Sequence, residues 1–147
     1  MPIMDVTYPA GALTDEARDE LVEELMAVLL RAERAPDAQF FKDVTWVFVH
    51  ELPAAHVYRS GRPVEAPIFR VEATTPEGAL SDRRREELVE SATAVVQRVA
   101  GIPGDELLRV FVLCHEVPEG SWGAAGNVVR FQMLRDAATA EREKAEA

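Results

Sequence analysis

The sequence has 147 residues, 48% of them hydrophobic, and its 26 acidic and 16 basic residues give a formal net charge of −10 at pH 7. This length and apolar content predict one domain with its own core and exclude a chain that is disordered throughout. The negative charge argues against nucleic acid or an anionic membrane surface as a partner, and no uncharged apolar run is long enough to span a bilayer.

Cysteine and histidine usage limits the chemistry further. The single cysteine, Cys114, cannot form an intrachain disulfide, and such usage is typical of a reducing compartment, so we expect a cytoplasmic protein without a secretory signal. His50, His56 and His115 show no metal-ligand spacing, so no metal is expected. The glycine-rich stretch 120–126 is not followed by the lysine of a phosphate loop, so no nucleotide cofactor is expected either.

The elements of the first half follow in chain order. Residues 3–8 are predicted to form a short strand, and Thr14 is predicted to cap a helix. The helix has an apolar stripe at helical spacing, made of Leu21, Leu25, Val28 and Leu29. Pro36 prevents the helix from continuing. Residues 44–49 are β-branched and aromatic, which predicts a second strand.

The second half repeats this order. The segment GALTD at residues 11–15 returns 67 positions later as GALSD, and HELP at residues 50–53 returns as HEVP at residues 115–118. We therefore predict a strand over 68–74, a helix capped by Ser81 and ended by Gly101, and a long strand over 107–114. A strand-like run covers 128–131, and the charged tail 135–147 is predicted to be a frayed helix.

Two β-α-β units predict an α+β two-layer sandwich, in which a four-stranded sheet carries two helices on one face. We expect one domain over 1–134, with repeats over about 2–65 and 66–134, followed by the tail 135–147. The long strands, around 44–49 and 110–114, show little alternation of apolar and polar residues, which predicts burial on both sides. Because two helices cover one face, the other face is expected to meet another subunit.

Three segments carry a resemblance to a known family: Pro2-Ile3 at the start, GALTDE at residues 11–16, and EVPEGSWGAAG at residues 116–126. They resemble the 4-oxalocrotonate tautomerase family of the tautomerase superfamily, and the resemblance extends to about Leu134. Double-length members, such as malonate semialdehyde decarboxylase and cis-3-chloroacrylic acid dehalogenase, fuse two units and assemble as trimers. The resemblance implies a tautomerase/MIF-like fold and a homotrimer.

The resemblance also implies a reaction. Once Met1 is removed, Pro2 carries a free secondary amine, which acts as general base and acid in the keto–enol tautomerisation of a small 2-oxo or enol acid, without a cofactor. An apolar pocket and nearby cations would lower the pKa of this amine. The other interpretation is a terminal strand proline without chemistry, and retention of Met1 would make the Pro2 nitrogen a non-basic amide.

The chain departs from the family where substrate is bound. The arginine that family members have after the first-turn glycine is replaced by Ala12 and Ala79. Arg109, expected at the start of its strand, and Arg70 are the candidate partners for the substrate carboxylate. For Arg70 the alternative is a salt bridge to Glu72 or to a neighbouring subunit.

Trp122 is predicted to close an apolar pocket over Pro2, with a core anchor as its alternative role. His50 and His115 occupy equivalent repeat positions, which favours a structural role for both. The predicted function is a cofactor-free tautomerase. The alternative is a non-catalytic tautomerase-fold oligomer with a structural or ligand-binding role, which the alanines in place of the family arginine favour.

Overall fold

The computed structural model describes all 147 residues. The helices and strands occur in chain order as β1 (Ile3–Pro9), α1 (Asp15–Ala32), α2 (Gln39–Asp43), β2 (Trp46–Leu52), β3 (Tyr58–Arg59), β4 (Arg62–Pro63), β5 (Phe69–Pro76), α3 (Asp82–Ala100), β6 (Val110–Val117), β7 (Gly123–Ala124), β8 (Asn127–Val128) and α4 (Phe131–Glu146). Short 3₁₀ helices cover Ala54–His56 and Gly104–Arg109. None of the helices is both long and apolar enough to cross a membrane.

The four long strands form one sheet in the order β2-β1-β5-β6. β1 is parallel to β2 and β5 is parallel to β6, as two β-α-β units require, while β1 and β5 meet antiparallel at the centre. Helices α1 and α3 pack against one another and against one face of this sheet. The predicted α+β class, with a four-stranded sheet and helices on one face, is confirmed.

The two long helices begin in the same way. The Thr14 hydroxyl accepts a hydrogen bond from the Ala17 amide at 3.1 Å, and the Ser81 hydroxyl accepts one from the Arg84 amide at 3.3 Å. Each cap satisfies one of the amide groups that the first turn of a helix leaves free. Helix α3 ends at Gly101, which has the left-handed conformation with φ of 65°. Thr14, Ser81 and Gly101 therefore delimit the helices as predicted.

The core lies between the sheet and the helices. Alternate residues of the central strands point into it and are fully buried, among them Met4, Val6, Val71 and Ala73. The apolar stripes of α1 and α3 complete it with Leu21, Leu25, Leu29, Leu88, Ala92 and Val96. Burying one large apolar side chain stabilises the fold by about 1.5–3 kcal/mol, so the stripes seen in the sequence position both helices.

The opposite face of the sheet has no cover within the chain. Trp46 is 57% exposed and Phe111 is 60% exposed, and Phe48 and Leu113 are also exposed on this face. On β2 the rings of Trp46 and Phe48 lie 6.3 Å apart, and exposed apolar surface of this kind often marks an interaction site. The prediction that the chain lacks cover for one sheet face is confirmed, although the strands alternate more clearly than expected, with Val47 and Val49 turned to the core.

Two local predictions were wrong, and one hairpin was missed. Residues 107–109 belong to the 3₁₀ helix that begins at Gly104, so Arg109 precedes strand β6 instead of starting it. The run 128–131 is not one strand, because Val128 ends the β7–β8 hairpin and Phe131 begins α4. Helix α4 is a continuous helix of 16 residues and includes most of the tail. The β3–β4 hairpin was not predicted, although Ser60 and Gly61 both have positive φ, as a two-residue hairpin turn requires.

Candidate active site

Pro2 lies at one end of the sheet, directly before β1. Its side chain is less than 2% exposed, and its carbonyl accepts a hydrogen bond from the Trp46 amide at 3.2 Å. The next residue, Ile3, is paired with Trp46 on one side and with Thr74 on the other. A proline is accommodated here because the first residue of a strand need not donate to the sheet. The sheet therefore holds Pro2 in one orientation.

An apolar cavity of ≈ 490 Å³ opens beside the N-terminus, and we call it the tryptophan cavity. Met1, Ile3, Trp46 and Trp122 line it. The Trp122 carbonyl accepts a hydrogen bond from the Val129 amide at 2.8 Å, which anchors this residue at the base of the β7–β8 hairpin. Trp122 is thus brought to the N-terminal end of the sheet, close to the residue that precedes Pro2.

A second cavity, of ≈ 560 Å³, lies on the other side of Met1, and we call it the arginine cavity. It is lined by four arginines, Arg34, Arg84, Arg135 and Arg142, together with Glu33. Helix α4 closes one side, held by a hydrogen bond of 2.8 Å from the Arg142 guanidinium to the Arg34 carbonyl. None of these residues was singled out from the sequence, because they come from three separate segments: the residues just after α1, the first turn of α3, and α4.

Burial controls the charges at the N-terminus. It lowers the pKa of the Met1 α-amino group, and the negative charge of Glu33 partly offsets this effect. Burial also raises the pKa of the Glu33 carboxyl, against the lowering effects of the α-amino group and Arg84. Desolvation disfavours whichever form is charged. The end of the sheet is therefore a place where an amine is kept neutral more easily than in water.

Arg84 reaches the position of a missing family residue. Ala79 stands where the family resemblance calls for an arginine, and it lines the arginine cavity. Nη1 of Arg84 donates a hydrogen bond of 3.2 Å to the Ala79 carbonyl. A guanidinium from the first turn of α3 thus lies beside Ala79. A spacing of five residues across a helix start could have suggested this contact.

Arg70 and Arg109 lie towards the other end of the sheet. Arg70 is four residues along β5 from Thr74, the partner of Ile3, which corresponds to about 13 Å at the usual rise of a strand. Arg109 precedes Val110, the partner of Phe69, so it is at about 20 Å by the same measure. Neither arginine meets Pro2 within one chain.

Both arginines already have protein partners. Nε of Arg70 is 3.1 Å from a carboxylate oxygen of Glu72, as the salt-bridge alternative stated. Nε of Arg109 donates to the Pro67 carbonyl at 2.9 Å, and its Nη1 donates to Glu106 at 2.7 Å.

The repeated histidines have equivalent partners on the open sheet face. His50 lies 2.6 Å from an oxygen of Asp5, and His115 lies 3.2 Å from an oxygen of Glu72. Asp5 and Glu72 face each other across the central strand pair. The predicted structural role of these histidines is consistent with such ties between strands. No group of three or more His, Cys, Asp or Glu side chains has the geometry of a metal site.

Comparison with known proteins identifies the fold and gives a family match to the second repeat. Residues 67–132 match the family model described as Tautomerase enzyme, whereas no curated protein sequence matches the chain. The structure of Pt0534 inactivated by 2-oxo-3-pentynoate is 22% identical, with a TM-score of 0.75, over 89% of this chain and 98% of that one.

Two further solved structures have the same fold as this chain. Native fused 4-OT is 23% identical, with a TM-score of 0.71, over 86% of this chain and 94% of that one. A member of the cis-3-chloroacrylic acid dehalogenase family is 17% identical, with a TM-score of 0.74, over 99% of both chains. At such identities these structures show the fold alone, and the family match covers the second repeat. Together they show that this chain has the fold of the double-length, fused 4-OT structures and that its second repeat resembles a tautomerase domain.

Proposed function

We propose that this protein is a cofactor-free tautomerase that acts on a small 2-oxo or enol acid, with Pro2 as general base and acid. The observation that carries the proposal is the position of Pro2, which is fully buried at the end of the sheet where Met1 separates the tryptophan cavity from the arginine cavity. We also infer that the protein is cytoplasmic, because a single free cysteine, Cys114, is typical of a reducing compartment.

Removal of Met1 is the first requirement. Initiator methionine is removed when the next side chain is small, and proline satisfies this condition. Met1 lines both cavities, so its removal joins them into one cleft and leaves the Pro2 nitrogen at the junction. One end of that cleft is then apolar and aromatic, and the other end is cationic.

The environment of the junction favours the basic form of the amine. Burial lowers the pKa of the α-amino group even at Met1, and Pro2 lies deeper, with less than 2% of its surface exposed. A neutral secondary amine accepts a proton from the enol oxygen, or from the carbon next to a carbonyl, and returns it to the other atom. The substrate is isomerised, and the amine ends in its starting state.

Substrate orientation follows from the two ends of the cleft. We assign the substrate carboxylate to Arg84. Nη1 of Arg84 donates one hydrogen bond to the Ala79 carbonyl, and its Nη2 and Nε have no protein partner. A guanidinium binds a carboxylate through two parallel hydrogen bonds. Trp122 and Trp46 then contact the apolar part of the substrate. Arg70 and Arg109 would reach a Pro2 site only across a subunit boundary.

We propose a homotrimer as the assembly. The open sheet face presents exposed apolar residues outside both cavities, such as Phe48 and Leu113, and burying them against a second copy is favourable at roughly 25 cal/mol for each Å². Fused 4-OT structures with the same fold are described as trimers, both asymmetric and symmetric. The small molecule is the remaining partner in this proposal, which includes neither nucleic acid nor a membrane.

One observation favours the alternative, a tautomerase-fold oligomer without catalysis. Both first-turn positions, Ala12 and Ala79, lack the arginine that the family resemblance calls for. If Arg84 does not take its place, the fold would bind a ligand or serve a structural role without turnover.

Two measurements distinguish these functions. Intact-mass spectrometry establishes whether Met1 is removed, and ultraviolet absorbance follows the ketonisation of phenylenolpyruvate. Pro2→Ala is expected to lower kcat/KM by about 10²-fold or more, the usual scale for loss of a general base. A form that keeps one residue ahead of Pro2 should be equally impaired, with an unchanged fold. Full activity in both forms, or no turnover by the parent, would replace this proposal with the alternative.

A further inference from the structure

A further cavity lies at the end of the sheet opposite to Pro2, and the internal repeat accounts for it. It has a volume of ≈ 390 Å³ and surrounds Phe69, the first residue of β5, so we call it the Phe69 cavity. Its aromatic and basic lining residues are Tyr8, His56, Tyr58, Arg59, Phe69, Arg70, Arg109 and Phe111.

This cavity is the repeat counterpart of the tryptophan cavity. Phe69 stands 67 positions after Pro2, the same spacing that relates Ser81 to Thr14. Phe111 follows Trp46 by 65 positions, the same spacing that relates His115 to His50. Trp46 is the first residue of β2 and Phe111 is the second residue of β6, and each of these strands is the outer strand of its own unit. The fold therefore builds the same kind of recess twice.

The two recesses differ in the backbone nitrogen at the equivalent position, which is that of Pro2 in one and of Phe69 in the other. Phe69 lies inside the chain, so its nitrogen is a peptide amide and has no basicity. Pro2 becomes an amine when Met1 is removed. The Phe69 cavity therefore has the shape of the first recess without a group that could accept a proton.

The charge of the Phe69 cavity is the opposite of that of the whole protein. Three arginines line it and no carboxylate does, although the chain carries a net charge of −10. Arg70 and Arg109 are held by acidic partners outside the lining. Arg59, in the β3–β4 hairpin, forms no ion pair and is free to meet an anion. Arg109 is only 11% exposed, so its position is fixed by packing.

The floor of the cavity is aromatic. The rings of Tyr8 and Phe69 lie 5.4 Å apart, and both side chains are almost fully buried. Phe111 and Leu108 contribute exposed apolar surface at the rim. Apolar walls with a few polar groups at one side are the usual construction of small-molecule sites.

We propose that the Phe69 cavity is a second, non-catalytic site that binds a small aromatic carboxylate, with the anion on Arg59 and Arg109 and the ring on Phe69. The proposal does not rest on catalysis by Pro2.

The chain contains its own reporters for a test. Both of its tyrosines line the Phe69 cavity, and both of its tryptophans line the tryptophan cavity. Protein labelled with 3-fluorotyrosine, and separately with 5-fluorotryptophan, would be titrated with phenylacetate and followed by ¹⁹F NMR. Phenylacetate has the aromatic ring and the carboxylate but no 2-oxo group to tautomerise. Tyr58→Phe assigns the two tyrosine signals.

The expected result is a saturable shift of a fluorotyrosine signal, with a dissociation constant that differs from any given by the fluorotryptophan signals. Arg59→Ala should weaken the tyrosine response by about 10-fold or more, the scale of one charge-assisted hydrogen bond. Arg62→Ala is the matched control, because Arg62 pairs with Arg59 in the hairpin but does not line the cavity. It should leave the response unchanged.

Two outcomes would overturn the proposal. In one, the fluorotryptophan signals respond to phenylacetate and the fluorotyrosine signals do not, so the anion occupies only the Pro2 end. In the other, Arg59→Ala and Arg62→Ala weaken the response equally, so binding reflects general surface charge. Loss of tautomerase activity in Pro2→Ala with an intact tyrosine response would leave this site standing, so the two proposals can fail separately.

Discussion

Replacing Arg84 by alanine tests the carboxylate assignment most directly. In the structure one of its nitrogens donates to the Ala79 carbonyl, while Nη2 and Nε remain for a substrate. Hydrogen bonds to a charged group contribute about 1.5–3 kcal/mol, so Arg84→Ala should lower kcat/KM by about 10- to 150-fold. The loss should be seen mainly in KM, because the carboxylate has the same charge in the ground state and the transition state.

The assay is the ketonisation of phenylenolpyruvate, with a thermal melt to confirm folding. Arg83→Ala is the matched control, since Arg83 is on the same helix turn, is exposed, and pairs only with Glu87. Adding Ala79→Arg to Arg84→Ala places an arginine where family members have one and should recover part of the activity. Equal kcat/KM for the Arg83 and Arg84 variants would refute the assignment.

Three further predictions concern the amine, the assembly and the fold. Glu33→Gln removes the charge that raises the pKa of the Met1 amine, and we expect the same effect on the Pro2 amine. The rising limb of kcat/KM against pH should therefore move to lower pH; a move to higher pH would contradict this. Phe48→Lys places a charge on the open sheet face and should shift the proposed trimer towards monomers in light scattering, whereas Val89→Lys, on an exposed site of α3, should not. Ser81→Ala should lower the free energy of unfolding by about 1 kcal/mol and Ser81→Gly by only a few tenths, as measured by urea denaturation; equal effects would argue against the cap.

Much of the fold could be predicted from local patterns. Caps and apolar stripes depend on neighbours within a few residues, so they can be predicted from the local sequence. This applies to the repeated segments, to the caps at Thr14 and Ser81, and to the stripes of both helices. The same holds for Pro2, whose place before the first strand follows from chain order. The errors arose where local preference is weak, as in the residues before Val110.

Nothing in the sequence indicated which distant side chains share one end of the sheet. That was decided by the antiparallel pairing of β1 with β5, which sets the start of β1 beside the end of β5. Arg70, near the start of β5, and Arg109, just before β6, are thereby carried away from Pro2. Glu33 and Arg84, 51 positions apart in the chain, are brought to it. Strand direction at the centre of a sheet depends on long-range packing and hydrogen bonding, so the sequence by itself determined the two units, and only the tertiary structure determined which charges surround the N-terminus.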